Sequence, residues 1–425
     1  MQRDVNAPRR RPGDGLPGAS GGYRVEVLPS IETLSRAMWE DLAPADDPMW
    51  SRALFTAMER GGIGPDGYAY LVVRDDAGVR AVLPVCRFRK LRLDGLVGPD
   101  ERRFLTPVGR LFPRLLRVPA LLCGNLLGQG HVLSAGGPPG EEVHRLLVDA
   151  AVAYARRERL GTVVFKDFAP AELGPLRPAL SRSGFFFAPG LPDTELRLGH
   201  DSFDSYLAAL PAKPRRNARS KIRKFRARSD LRIEILDHFE ELLPRILALY
   251  RQVMDRADQF LDVLDPSFFA AVHAQNETRR RLVACFEGDT LVAFLLCLFA
   301  GSGATGARIG LDYRLAHDAR LYHIVHYAAI DLALASGCDH IRFAQTAYIP
   351  KMELGCDLVP QSYAITHLRP VRRALLRRVL PRTLAAARVR ALGPRPAAAT
   401  DAPSPGSGPH PHSPPEAGRP THATR

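Results

Sequence analysis

Between Arg308 and Gly355 the spacing of apolar residues changes period twice. Ile309 to Tyr313 is short, apolar and closed by an Asp-Tyr pair, and His340 to Ala344 carries Ile341 and Phe343 at period two, so both stretches read as strands. Between them Leu321, Ile324, Val325, Ala328 and Leu332 recur at helical spacing, with Asp318 placed as the N-cap and Gly337 as the stop. Strand, helix and strand in that order predict a parallel pair joined by a crossover, and such units gather ligands at the carboxyl ends of their strands. That end would collect Asp312, Tyr313, Gln345, Thr346 and Tyr348, with Lys351 and Gly355 just beyond.

The same pattern occurs earlier in the chain. Residues 68–88 read as a hairpin turning near Asp76 to Gly78, and residues 282–299 repeat its shape. Residues 151–167 align without gaps to residues 329–345, each a helix running into a strand, with Ala151, Ala155 and Phe165 identical to Ala329, Ala333 and Phe343. Residues 181–189 then fall over 352–360, matching Gly184 and Pro189 to Gly355 and Pro360. Three blocks recurring in one order argue for a duplicated domain. Their separation of about 170 to 210 residues is far too long for a solenoid. The expected organisation is a Pro, Gly and Arg-rich disordered tail over 1–22, a first half over 23–200, a basic linker helix over 201–229, a second half carrying the site over 230–369, a basic helical segment over 370–391, and a disordered tail over 392–425.

Charge sharpens one part of this picture. The net charge is +14, which suggests an anionic partner. Nine of the cations and no acid lie in residues 213–228, KPRRNARSKIRKFRAR, where Ile222 and Phe225 are spaced to pack one helical face. Such a helix is either a solvated linker or a phosphate clamp, since arginine forks suit phosphate bidentately; Arg215, Arg216, Arg219 and Lys221 are the expected contacts. Two further segments, 102–122 and 369–391, mix arginine with leucine and valine. Each fits peripheral contact with an anionic membrane, or packing of its leucines on a domain with the arginines in water. The chain has no run of eighteen apolar residues and no apolar leader, and its six scattered cysteines form no CxxC or His-Cys cluster, which together predict a cytoplasmic protein with reduced core thiols and no metal.

The GLDY strand, the helix with early aromatic residues, and FAQTAYIPKMELG resemble the closing segment of Fem-like acyltransferases in the GNAT superfamily. In that group a tyrosine and a lysine precede a Leu/Phe-Gly pair, as Tyr348, Lys351, Leu354 and Gly355 do here. A basic K-R-N-x-R type segment before the second half, like residues 213–219, belongs to the same resemblance. It implies an α/β fold of two GNAT-like halves in tandem, each a central mixed sheet flanked by helices. It also implies an N-acyltransferase that forms an amide on a small-molecule amine acceptor. Acyl transfer needs a neutral nucleophile, donors for the developing oxyanion and a proton source for the leaving group. Asp312 is the candidate to orient or deprotonate the amine, Lys351 to place charge near the oxyanion, and Tyr348 or Tyr313 to protonate the leaving group, with Gln345 and Thr346 as further contacts. His317, His323 and His326 read as polar helix positions.

One departure bears on the donor. Classical GNAT members hold the coenzyme A pyrophosphate on a glycine-containing loop at the helix start, whereas Leu315 to Arg320 is LAHDAR, and the first copy, GGPPGEE at 136–142, is prolyl and acidic. An acyl-coenzyme A donor is the expectation. Aminoacyl-tRNA, which the Fem-like resemblance allows and the basic segment suits, is the second, and a non-catalytic module binding RNA or a membrane surface is a reading from another class.

Overall fold

The computed structural model describes residues 22–61, 64–92, 117–256, 264, 266–274 and 279–393. The expected tails, apart from residues 22, 392 and 393, and most of the basic segment 102–122 lie outside the described residues. In the first half β1 (Arg24–Leu28), β2 (Gly67–Asp75), β3 (Gly78–Arg92) and β4 (Arg117–Cys123) form an antiparallel meander, with the short β5 (Leu133–Ser134) also on β3. The helix Glu141–Arg157 then crosses over to β6 (Thr162–Phe168), which lies parallel to β4. A helix, Pro170–Arg182, leads to β7 (Phe186–Pro189), and β8 (Asp193–Arg197) follows.

The second half repeats this order. Here β9 (Leu231–Leu236), β10 (Arg279–Glu287), β11 (Thr290–Ala300) and β12 (Gly303–Leu311) form the meander. The helix Leu321–Ala335 crosses to β13 (His340–Arg342), parallel to β12, and the helix Tyr348–Glu353 leads to β14 (Asp357–Val359), then β15 (Ser362–His367). The residues matched between the halves explain the repeat. Ala151, Ala155, Ala329 and Ala333 are fully buried where the crossover helices press on their sheets, and a larger side chain would hold each helix off. Gly184 and Gly355 both take left-handed backbone, φ 78° and 88°, just past the helix that precedes the next strand, where a Cβ is disfavoured. The helix Leu321–Ala335 ends before Gly337, φ 72°, as its spacing predicts. Its N-cap is Arg320 rather than Asp318, because Asp312 caps a separate short helix, Tyr313–Ala316, and Asp318 falls in the turn between the two.

Neither sheet is made by one half alone. The first runs β1-β2-β3-β4-β6-β15-β7 and the second β14-β8-β13-β12-β11-β10-β9. Thus β15 lies antiparallel between β6 and β7, and β8 lies antiparallel between β13 and β14. The final strand of each half fills a gap in the other's sheet.

The basic helix spans Ala212–Arg226, with Ile222 and Phe225 packed on the second half's core, and Ser202 caps the preceding helix Phe203–Ala209. The last helix, Pro370–Leu392, lays Leu376, Leu380 and Leu384 against Phe186, Ala188 and Ile365 and leaves Val371, Leu375, Val379 and Val389 exposed. No described helix is long and apolar enough to cross a membrane. All six cysteines are buried, and burial pushes Cys86, Cys285, Cys297 and Cys356 up to about 12, which leaves no thiolate nucleophile among those four at neutral pH.

Candidate active site

The site begins where β12 and β13 separate. They pair over three residues only, Gly303 with His340, Ala304 with Ile341 and Thr305 with Arg342. Beyond Thr305, β12 continues on β11 to Leu311, and a bulge leaves Ala307 as the extra residue between Gly306 and Arg308. Bulges increase local twist and turn an edge away from its neighbour. On the far side the chain leaves β13 through left-handed backbone at Ala344, Thr346 and Ala347, with φ of 57°, 69° and 48°. Each such non-glycine residue costs about 1 to 2 kcal/mol, so something must hold the segment in place.

Lys351 does so. Its side chain is 4% exposed, and Nζ donates to the carbonyls of Phe343, Ala344 and Gln345 at 2.5, 2.9 and 3.0 Å. Burial lowers its pKa to about 8, opposed by the charge of Asp193. Thr194 Oγ1 donates to the Ala344 carbonyl as well, at 2.7 Å.

The opening between the strand ends is a cavity of about 860 Å³. The second half lines it with Gly306 to Ile309 and Phe343 to Ala347, and the first half with Leu126 to Gln129, Lys166 and Asp167. Asn125, fully buried, fixes the first-half loop: its Nδ2 donates to the Met49 carbonyl at 2.6 Å, and its Oδ1 accepts from the amides of Leu127 and Gly128. Gln129 then donates to Asp193 Oδ2 at 2.6 Å, while Asp193 Oδ1 accepts from the Thr194 amide. Burial raises the Asp193 pKa, against these two hydrogen bonds.

Two further polar groups lie on the wall. Asp167 is 3% exposed and sits at φ 55°; Oδ2 is 2.5 Å from Lys166 Nζ, and Oδ1 has no hydrogen-bond partner. His326 Nδ1 lies 2.6 Å from the Tyr322 carbonyl, which can only accept, so Nδ1 carries the proton and Nε2 keeps its lone pair. Burial pulls His326 down to about 3, so this ring stays neutral and offers a hydrogen-bond acceptor rather than a strong base.

The residues expected from sequence divide between the cavity and its frame. Tyr313, Gln345, Thr346 and Lys351 line the cavity. Asp312 and Tyr348 do not. Asp312 pairs with Arg245 at 3.0 Å and Arg314 at 2.9 Å and caps the Arg314 amide; burial opposes its ionisation, but those bonds outweigh it and hold the carboxyl below the usual range. A carboxylate so held is a poor base. The Tyr348 hydroxyl donates to the Pro192 carbonyl at 2.8 Å and is 1% exposed, and burial pushes its pKa up. Lys351, with its three donors engaged by backbone, holds the segment that shapes the cavity. None of Arg215, Arg216, Arg219 and Lys221 reaches the cavity: Arg215 donates to the Ala208 carbonyl, Lys221 pairs with Glu353 at 2.6 Å, and Arg216 and Arg219 face solvent.

Sequence reasoning passed over Asp167, Gln129 and Arg308, and read His326 only as a polar helix position. For Asp167 the signal was present, because the alignment of the two halves sets it opposite Gln345.

Residues 212–349 match the family model of the acetyltransferase (GNAT) domain. A solved structure of FemX superposes with a TM-score of 0.53 at 14% identity, covering 83% of this chain and all (100%) of that one. A tandem GNAT protein from the clavulanic acid biosynthesis pathway gives 0.46 at 12% identity, over 82% and 99% of the two chains. Among curated proteins, a provisionally named 8-amino-7-oxononanoate synthase 2 of Mycobacterium tuberculosis is 24% identical over 282 residues, 65% of this chain. The chain spans 36% of that relative's length. Residues 212–349 thus match an acetyltransferase (GNAT) domain, and the two like halves share their fold with FemX.

Proposed function

We propose that the protein transfers an acyl group from a thioester donor of the acyl-coenzyme A type to the nitrogen of an amine acceptor. The observation that carries this reading is the splay itself. On the side facing β13, the backbone of β12 beyond Thr305 has no strand partner among the described residues, and it runs along the cavity from Gly306 to Ile309. A donor with amide groups can hydrogen-bond to such an edge as an added strand would, which brings its carbonyl carbon between the halves.

The acceptor then enters from the first-half side, past Leu127 to Gln129. Its nitrogen attacks the acyl carbon, the C–N bond forms and the C–S bond breaks. Asp167, the carboxylate on that wall, receives the proton that the amine releases. The departing thiolate takes up one proton, so the overall balance is an amide and a free thiol. Lys351 acts as a positioning residue through the carbonyls of Phe343 to Gln345.

Two observations favour a second reading, transfer from aminoacyl-tRNA. The segment after β12 is the helix Tyr313–Ala316 and a turn, with no glycine to shape an amide cradle for pyrophosphate. The helix Ala212–Arg226 also turns Arg216, Arg219, Arg223, Lys224 and Arg226 to solvent. One experiment separates the readings: purified protein with acyl-coenzyme A donors of increasing chain length and a panel of amines, with thiol release followed by a chromogenic thiol reagent, beside charged tRNA and the same amines. Thiol release that needs both substrates supports the first reading. Transfer from charged tRNA with no thiol release moves the assignment to the second, and silence in both arms overturns acyl transfer.

A further inference from the structure

The cavity holds one cation that the protein leaves unmatched. Arg308, the residue after the β12 bulge, lines the wall between the halves. Its Nη1 donates to the neighbouring Ala307 carbonyl, and among the described residues no carboxylate lies within ion-pair distance of it. The other charged groups on the wall have partners. Lys166 has Asp167 at 2.5 Å, Lys351 has its three carbonyls, Asp193 has Gln129, and Arg256 lies over the Tyr313 ring with its guanidinium carbon 4.0 Å from the centroid. Arg308 keeps part of its surface open, and protein packed around it disfavours its charge and lowers its pKa. An enclosed guanidinium without a counter-charge is costly to a fold and needs a function to retain it.

We propose that Arg308 is the anchor for an anionic group on the acceptor, so that the acceptor carries a carboxylate or a phosphate in addition to its amine. This inference rests on the acyl-transfer reading and names its substrate class. The planar fork of arginine takes either group bidentately, at donor–acceptor distances fixed by the fork. The position suits an acceptor more than a donor, because Arg308 also borders the smaller recess that Met49, Leu127, Gly128 and Gln129 of the first half form with Asp47, Asp193 and Arg342, whose acids are already engaged by Arg342 and Gln129. Held by Arg308 at its anionic end in the larger cavity, an amino acid-like or amino-phosphate molecule turns its amine toward Asp167 on the same wall.

Binding tests this without turnover, so its failure is separable from failure of the acyl-transfer reading. Hexanoate, hexyl phosphate and the neutral hexanamide are titrated calorimetrically into the full chain and into Arg308→Gln and Arg308→Lys. At least one anion is expected to bind about tenfold or more tighter than hexanamide, the usual weight of a charge-assisted hydrogen bond. The tighter of the two identifies carboxylate or phosphate as the source. Arg308→Gln abolishes the preference while melting no lower than the parent, because it removes an unmatched charge. Should that variant misfold, Arg308→Lys keeps the charge without the fork and is expected to retain a reduced preference for the anions. Equal binding of hexanamide and both anions, or an unchanged preference in Arg308→Gln, overturns the proposal.

Discussion

Replacing Lys351 by methionine separates two roles for that residue, because its effects on stability and on turnover are expected to diverge. The three carbonyls it serves belong to Phe343, Ala344 and Gln345, and Thr194 already serves that of Ala344. The variant therefore leaves two carbonyls without a donor, at about 1 to 3 kcal/mol each, or roughly 4 kcal/mol together. Against this, methionine removes the desolvation of a buried ammonium. The fall of its pKa from 10.5 to about 8 sets that penalty near 3 kcal/mol, at about 1.4 kcal/mol per pH unit. The two terms nearly offset, and the net loss of global stability is about 1 kcal/mol.

The local consequence is larger. Ala344, Thr346 and Ala347 keep left-handed backbone at a cost of about 3 to 6 kcal/mol among them. Once the ammonium no longer holds the carbonyls of Phe343, Ala344 and Gln345, the segment relaxes and the mouth of the splay moves. A displacement of about 1 Å at a reacting centre lowers efficiency by about 10²-fold. Stability is read by urea unfolding with Trp39 and Trp50, which are both 1% exposed, as reporters, and efficiency by kcat/KM for the donor. A stability loss of 4 kcal/mol or more would refute the offset. Unchanged efficiency would remove the segment from the site. A wild-type pH–rate limb near 8 that vanishes in Lys351→Met would make this lysine a proton donor and refute the positioning role.

Gly306→Ala places a Cβ 2.7 Å from Phe343 Cδ1 and 3.3 Å from Leu295 Cδ2, so Phe343 is pushed into the cavity; a loss of about 1 to 3 kcal/mol and a raised donor KM are expected, and an unchanged KM would put the donor elsewhere. Tyr348→Phe removes the bond to the Pro192 carbonyl and the one from the Thr346 amide, so stability falls by about 1 to 3 kcal/mol while kcat stays within about twofold, and a loss of about 10²-fold or more in kcat would restore the hydroxyl to the chemistry. Residues 23–200 expressed alone lack β15 between β6 and β7 and leave β8 without its partners, so no cooperative melt is expected until residues 201–393 are co-expressed; a sharp melt of the fragment by itself would show that the exchange is dispensable.

The elements that sequence made legible are those specified by nearby residues. The apolar period of Leu321 to Leu332 and the stop at Gly337 fix a helix locally, and Gly184 and Gly355 mark the same turn in both halves because left-handed backbone favours glycine. Strand exchange was not legible, since the alternation that marks 193–197 and 362–367 as strands carries no information about which sheet receives them. The left-handed residues Ala344, Thr346 and Ala347 were hidden for the converse reason: no glycine flags them, and their conformation depends on a lysine placed by tertiary packing. Asp312 is held ionised first by Arg314, two residues on, and then by Arg245, 67 residues away, and only the second partner lies beyond any local pattern. The spacing marked a loop that lines the cavity, while Asp312 and Tyr348 lie outside that lining.

Duplication followed by exchange also explains why one copy keeps an open site. In the first half β4 and β6 pair over Ala120 to Cys123, one residue more than their counterparts, and a further parallel bridge joins Gly130 to Phe168 beyond them. That bridge occupies the place of the splay. It depends on a glycine: a Cβ at Gly130 would fall 2.2 Å from Phe168 and 2.3 Å from the Lys166 carbonyl. The chain thus closes its first opening with its own backbone, and the closing loop, Leu126 to Gln129, becomes a wall of the second opening. Exchange of β8 and β15 ties the two sheets together. Arg342 adds to the tie, pairing with Asp47 of the first half at 2.8 Å and with Glu195 of β8 at 3.0 Å. A wall held that firmly can place Asp167 and Gln129 opposite β12 with little freedom, which is what transfer between two bound substrates requires.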